Sequence, residues 1–122
     1  MKSLLIVTAI IEGLTGLALA FAPSFLASIL LGTSLTDPSA ILIARLAGAA
    51  LITIAIACWL SGREIHSSIM VKAMIGYNIF SIILLVYAAL IESISGPGLW
   101  PAVLLHLGLL IWCLSSLWKR AR

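Results

Sequence analysis

Four apolar runs, each about as long as a membrane-spanning helix, occupy most of this sequence. A helix needs roughly 20 apolar residues to cross about 30 Å of hydrocarbon. Runs of that length lie at Leu4–Ala22, Ser39–Leu60, Ser67–Ile91 and Leu99–Trp118. Only 9% of the residues are charged and 63% are hydrophobic, whereas about a quarter are charged in a soluble domain. The sequence therefore predicts an integral membrane protein in which residues 1–122 form one domain.

Short polar or Gly/Pro-containing segments separate the four runs. Pro23 ends the first run, and the segment Ser24–Leu31 after it is too short to span but has the apolar spacing of a helix lying in the interface. Ser61–Glu64 and Ser95–Gly98 are tight connections, which make neighbouring helices antiparallel. The predicted fold is all-α: an antiparallel four-transmembrane-helix bundle with a short interfacial helix after the first span.

Lysine and arginine residues gather at one side of the predicted bundle. Asp37 and Glu92 lie on the other side. The positive-inside rule then places both termini in the cytoplasm. The first run is expected to stay as a span, because Glu12 would interrupt the apolar core of a cleavable signal peptide. The basic residues of the cytoplasmic side are Lys2, Arg63, Lys72, Lys119, Arg120 and Arg122.

Each apolar run contains one strongly polar residue: Glu12, Arg45, Asn78 and His106 in chain order. Ionisable groups at such depth cost at least about 2.5 to 3.5 kcal/mol, so they normally face the bundle interior and pair. A rise of 1.5 Å per residue puts Asn78 and His106 in one layer, with Glu12 on its cytoplasmic side and Arg45 on its outer side. These four residues form a candidate intramembrane polar network.

Several interpretations of this network stay open. The four residues can fix the pairing of helices in lipid, or Glu12 and His106 can form a protonatable pair that lines a small cavity. A third possibility is a polar surface that docks another membrane subunit. Arg45 can instead extend to the outer interface, toward Glu92 or Asp37. Glu12 is ion-paired if Arg45 or a protonated His106 reaches its carboxyl group, and neutral if neither does.

Two further residues are secondary candidates. Tyr77 precedes Asn78 on the third run, and Glu92 follows the end of that run. Ser81 extends the same polar seam, which is typical of hydrogen bonding inside a bundle.

Small residues accompany the polar ones on the first two runs. Thr8, Glu12, Gly16 and Ala20 recur every four residues, and Gly48 follows Arg45. Stripes of this kind allow helices to approach closely. We expect them to pack within one chain, with dimerisation of the protein as the alternative.

The two cysteines do not indicate redox or metal chemistry. Cys58 and Cys113 are single and form no C-x-x-C motif, so they are expected to be small buried residues. His106 and Cys113 lie seven residues apart on one helix face, but two ligands do not make a zinc site. No metal and no other cofactor is predicted.

The layout of the chain resembles small bacterial inner-membrane proteins of the broad DoxX-like type. The resemblance rests on Phe-Ala-Pro23 followed by a short apolar segment to Gly32, on Ala44-Arg45-Leu-Ala-Gly48-Ala-Ala, on Tyr77-Asn78, and on Leu99-Trp-Pro-Ala102 with His106. It implies an accessory protein of the bacterial inner membrane and assigns no catalytic residue. The size and the single Glu of the first run are also similar to small multidrug resistance transporters, although the Gly-rich third span of that family is missing.

These observations favour a protein that is not an enzyme. No nucleophile–base pair, phosphate loop or metal spacing is present, and the connecting segments are short. The first expectation is an accessory or scaffold subunit whose partners are the lipid bilayer and either another membrane protein or a second copy. The alternative is a small proton-coupled transporter that uses Glu12. Nucleic acid is not expected as a partner, because the basic residues form no patch.

Overall fold

The computed structural model describes residues 1–64 and 67–122. Within them the chain forms five α-helices and no strand. The prediction of an all-α chain with four helices long and apolar enough to cross a membrane is confirmed. The helices are α1 (Lys2–Phe21), α2 (Pro23–Leu31), α3 (Pro38–Ser61), α4 (Ser67–Leu90) and α5 (Leu99–Ala121).

Local sequence signals explain the breaks between the first three helices. Ala22 leaves the helical conformation, with φ −135° and ψ 56°, and Pro23 occupies the first turn of α2. Gly32 ends α2 in the left-handed conformation at φ 73°, which a residue without a Cβ adopts without strain. Asp37 caps α3 by accepting a hydrogen bond of 2.8 Å from the backbone N–H of Ala40.

The most extensive helix contact joins α1 and α3. At their crossing Gly16 faces Gly48, and a Cβ on Gly48 would lie only 2.7 Å from the backbone nitrogen of Ala20. A Cβ on Gly13 would meet that of Ala55 at 3.5 Å. Residue numbers therefore rise along α1 as they fall along α3, so these two helices run in opposite directions. The stripe of small residues predicted on α1 packs within the chain.

The second extensive contact joins α4 and α5, and the two helix pairs meet in an apolar core. Every long helix contributes to this core. Cys58 and Cys113 belong to it and are free thiols, as expected for small buried residues. The core residues are Leu4, Leu5, Ala9, Cys58, Val71, Met74, Leu109 and Cys113.

Large apolar side chains cover much of the outer surface. Leu14, Phe80 and Leu104 are each about two-thirds exposed. Large apolar side chains exposed in this number are unfavourable in water and favourable in hydrocarbon. The core and the polar residues described below lie between the helices, away from this apolar surface.

Candidate functional site

Glu12 is buried in the middle of α1, where only 2% of the residue is exposed. It faces inward because it shares a helix stripe with the buried residues Thr8 and Gly16. The hydroxyl of Tyr77, on α4, donates a hydrogen bond of 2.9 Å to Oε2 of Glu12. One carboxyl oxygen is thus satisfied by a residue of the opposite helix pair.

The other carboxyl oxygen, Oε1 of Glu12, is buried without a hydrogen-bond partner among the residues that the structure describes. An unsatisfied buried polar atom costs about 1 to 3 kcal/mol, and more when the group is charged. Such atoms are rare in folded proteins and call for a reason.

Asn78 and His106 form a second hydrogen-bonded pair beside the first. Asn78 is fully buried, and its Nδ2 donates to the carbonyl oxygen of Met74 at 2.7 Å. Its Oδ1 lies 2.9 Å from Nδ1 of His106. With the amide in this orientation Oδ1 can only accept, which assigns a proton to Nδ1 of His106; in the Nδ1–H tautomer Nε2 is an acceptor.

The rings of Tyr77 and His106 bring the two pairs into contact. Their centroids are 5.6 Å apart and the rings meet edge to face at 73°. Glu12, Tyr77, Asn78 and His106 therefore form one cluster, which we call the Glu12 cluster. It lies where α1, of the first helix pair, meets α4 and α5 of the second.

A cavity of about 340 Å³ lies against the Glu12 cluster. Its wall is mainly apolar, with Glu12, Tyr77 and His106 among its lining residues. This combination of an apolar wall and a few polar groups is typical of small-molecule sites, which have volumes of roughly 300 to 1,000 Å³. The remaining lining residues are Ile11, Thr15, Leu19, Leu26, Leu30, Leu51, Ser81, Leu84, Leu85, Ala102 and Leu105.

Helix α2 forms part of this cavity wall through Leu26 and Leu30. It is held in place by the segment between α4 and α5, where the backbone N–H of Gly96 donates to the carbonyl of Leu30 at 2.9 Å. The N–H of Gly98 donates to the carbonyl of Ile29 at 2.8 Å. These bonds satisfy carbonyls at the end of α2 that lack a partner within the helix.

Arg45 does not join the Glu12 cluster, and its side chain is exposed. The pairing of Gly13 with Ala55 fixes the register of α1 on α3. Arg45 precedes Ala55 by ten residues, which corresponds to about 15 Å along the helix. The packing of α1 on α3 thus keeps Arg45 away from Glu12. Glu92, just after α4, is also exposed and apart from the cluster.

Sequence reasoning missed two parts of the cavity wall. Thr15 lies one turn from Glu12, and its hydroxyl donates to the carbonyl of Ile11 at 2.9 Å. Because Thr15 lies three residues after Glu12, on the same side of α1, the sequence could have indicated that it belongs to the cavity wall. The contribution of Leu26 and Leu30 could not be read from spacing, since it depends on how α2 docks.

Metal ligands are not gathered at this site. No group of three or more His, Cys, Asp or Glu residues that could hold a metal ion occurs in the described part of the chain. The polar groups of the cavity are hydrogen-bond acceptors and donors attached to an apolar wall.

Comparison with known proteins gives a family without an assigned role. Residues 6–122 match a family model described as a domain of unknown function (DUF8292). No curated protein and no solved structure matches the chain.

Proposed function

Because the chain belongs to the DUF8292 family, to which no activity is attached, we propose a function from its own geometry: a small integral membrane protein that binds a small molecule beside Glu12. The ligand is largely apolar and has one hydrogen-bond donor or positive charge. The observation that carries this proposal is Oε1 of the buried Glu12, which has no hydrogen-bond partner within residues 1–64 and 67–122, on a residue that lines the cavity.

The carboxyl group of Glu12 also provides a way to couple ligand binding to protons. A carboxylate buried without a cation is unfavourable, so a proton on the carboxyl keeps the empty site neutral. A cationic ligand at Oε1 replaces that proton. Competition between the two for one oxygen is the basis of a proton-coupled carrier, and the proposed role involves binding and transport rather than catalysis.

The membrane topology is part of the proposal. We propose an antiparallel four-span bundle in the bacterial inner membrane, with both termini in the cytoplasm. The opposite directions of α1 and α3 support this arrangement. So does the excess of Lys and Arg at one side. The resemblance to DoxX-like proteins stays a prediction.

Three aromatic probes of similar size test the site: toluene, phenol and benzylammonium. Melting temperatures of the purified protein in detergent are expected to rise more with benzylammonium and phenol than with toluene, because only the first two donate a hydrogen bond to Oε1. In weakly buffered solution, benzylammonium should also release about one proton per protein, seen with a pH dye.

The matched variants are Glu12→Gln and Glu92→Gln. Glu12→Gln keeps the shape of the side chain and an acceptor for Tyr77, yet it should abolish proton release. Glu92→Gln makes the same substitution at an exposed site outside the cavity and should behave like wild type. Equal responses to all three probes, or proton release that persists in Glu12→Gln, would contradict the proposal.

A second candidate function is supported by the hydrogen bonds themselves. Tyr77 to Glu12 joins α4 to α1, and Asn78 to His106 joins α4 to α5. A scaffold or accessory subunit would use these bonds to hold the bundle together for another membrane protein. In that case Glu12→Gln would leave probe binding unchanged, and a stoichiometric membrane partner would co-purify with the chain.

A further inference from the structure

A second apolar depression lies on the outer side of the α1–α3 pair, away from the Glu12 cluster. It is a groove of about 300 Å³. Its floor is made of the small residues Ala9 and Ala55, each 7% exposed. Ile10 and Ile56, both more than half exposed, are among the residues at its sides. The groove exists because small residues bring α1 and α3 close together while the neighbouring side chains project outward.

The groove ends at a cation. Trp59 is one of its lining residues, and the guanidinium carbon of Arg63 lies 5.3 Å from the centre of the Trp59 ring. Lys2 belongs to the same end of the pair, because a Cβ on Gly62 would lie 3.6 Å from the Cβ of Leu5. Two exposed basic residues, Lys2 and Arg63, thus outnumber the single acid Glu64 at this end.

We propose that this groove and Arg63 form a binding site for one anionic phospholipid. The acyl chain lies in the groove between α1 and α3, and the headgroup phosphate contacts Arg63. From Trp59 to Ile52 the groove follows α3 for about 10 Å, which accommodates the part of the chain next to the headgroup. Trp59 lies between the two, with an apolar ring toward the groove and Arg63 over its face.

The chemistry of the groove favours a lipid over a second copy of the chain. Two copies that share a membrane orientation meet through residues of equal depth when their interface is two-fold symmetric. Arg63 would then face the partner's Arg63, and Lys2 the partner's Lys2. Like charges in contact are unfavourable. An anionic headgroup would instead place a negative charge beside Arg63 and Lys2.

This inference uses the membrane insertion proposed above and is independent of the Glu12 cavity. Tryptophan fluorescence tests it, because bromine atoms on an acyl chain quench a nearby indole. The variant Trp100→Phe/Trp112→Phe/Trp118→Phe keeps Trp59 as the single fluorophore; all three replaced residues are more than a third exposed. The probes are vesicles doped with brominated phosphatidylglycerol or brominated phosphatidylcholine.

We expect phosphatidylglycerol to occupy the site about fivefold more strongly than phosphatidylcholine, the factor that corresponds to one basic residue near a membrane surface. Arg63→Gln should reduce this preference to about one. Gly13→Leu, which fills the groove, should reduce quenching by both lipids. If Gly13→Leu does not fold, the phospholipid site is still tested by Arg63→Gln and by the comparison of the two lipids.

Arg122 provides the matched control. It lies over the aromatic ring at position 118, a tryptophan in the wild type at 5.6 Å and a phenylalanine in the single-tryptophan variant, as Arg63 lies over Trp59. The surface beside Arg122 is lined by residues at the end of α5, not by a helix pair. Arg122→Gln should leave quenching of Trp59 unchanged. Equal quenching by the two lipids, or an Arg122→Gln effect as large as that of Arg63→Gln, would overturn the proposal. The proposal would also be overturned if chemical cross-linking traps dimers that Gly13→Leu abolishes while the quenching of Trp59 by lipid stays the same.

Discussion

At the scale of single residues, the Glu12 carboxyl depends on the hydroxyl of Tyr77. Tyr77→Phe removes the 2.9 Å hydrogen bond and leaves both oxygens of a buried carboxyl group without a partner. We expect the free energy of unfolding in detergent to fall by about 1 to 3 kcal/mol. Denaturant titration followed by circular dichroism measures this change.

Tyr87→Phe is the control for this prediction. Tyr87 lies on the same helix but is 50% exposed, so the loss of its hydroxyl should change stability by no more than about 0.5 kcal/mol. The double variant Glu12→Leu/Tyr77→Phe should lose less than the sum of the two single changes, because each single change removes the same hydrogen bond. Strict additivity would mean that the two side chains are not coupled.

His106 supports a prediction about a single proton. The amide of Asn78 is oriented by its bond to Met74, so Oδ1 faces His106 and the proton lies on Nδ1. We expect ¹⁵N NMR of histidine-labelled protein to show the Nδ1–H tautomer, with His66→Gln removing the signal of the other histidine. Asn78→Leu should remove the preference of His106 for the Nδ1–H tautomer. An Nε2–H tautomer in the wild type would show that the amide has the opposite orientation.

The members of the Glu12 cluster were identifiable from sequence because a polar residue within an apolar run has few alternatives to the interior. Depth from the helix rise brought Asn78 and His106 to one layer. It could not give the rotation of each helix about its axis. For that reason Tyr77 was ranked as secondary although it bonds Glu12, and Arg45 was grouped with residues from which the helix register separates it.

At the scale of secondary-structure elements, the close approach of α1 and α3 depends on two glycines. A Cβ on Gly48 would lie 2.7 Å from backbone atoms of α1, and one on Gly16 would lie 2.8 Å from the carbonyl oxygen of Gly48. The helices would have to move apart. We expect Gly48→Ala to destabilise the protein by about 1 to 3 kcal/mol in denaturant titrations.

Gly76 and Gly108 are the matched controls. Each lies within a helix, and a Cβ at either position meets no atom within 4 Å. Alanine there should be neutral or stabilising by up to about 1 kcal/mol, because it has the higher helix propensity. A loss of stability in Gly76→Ala equal to that in Gly48→Ala would indicate a general intolerance of substitution instead of a close helix crossing.

The start and end of helix α2 could be predicted from the local sequence, but its docking could not. Pro23 and Gly32 indicated its start and end correctly. Its docking on the α4–α5 connection was not predictable, because Gly96 bonds Leu30 from more than sixty residues away in the sequence. A Cβ on Gly96 would clash with the carbonyl of Ile29.

Substitution of Gly96 should therefore weaken the attachment of α2 to the α4–α5 connection. In Gly96→Ala the clash with the Ile29 carbonyl weakens the hydrogen bonds to Leu30 and Ile29, and local opening of residues 23–31 becomes more frequent. We expect faster amide hydrogen exchange in that segment, measured by mass spectrometry, while residues 99–121 keep their protection. Unchanged exchange in 23–31 would mean that α2 does not depend on this contact.

At the scale of the whole molecule, the bundle consists of two helix pairs that meet in the apolar core and, beside it, at the Glu12 cluster. Each pair is joined by extensive packing, whereas the contacts between α1 and α5 or α3 and α4 are sparser. The Glu12 cluster and the cavity lie at this sparsely packed interface. Because an interface with little packing can open at low cost, it provides an entry route for the ligand proposed above.

The orientation of the whole chain can be tested with reporters fused at its loops. The positive-inside rule acts on Lys and Arg near span ends, and residues such as Lys2, Arg63 and Lys119 share one side. In bacterial cells, alkaline phosphatase inserted after Glu92 should be active because it reaches the periplasm. The same reporter after Gly62 or Arg122 should be inactive, while a fluorescent protein at Arg122 should fluoresce. The reverse pattern would refute the proposed topology. Activity of phosphatase at both Glu92 and Arg122 would instead show that α5 does not cross the membrane.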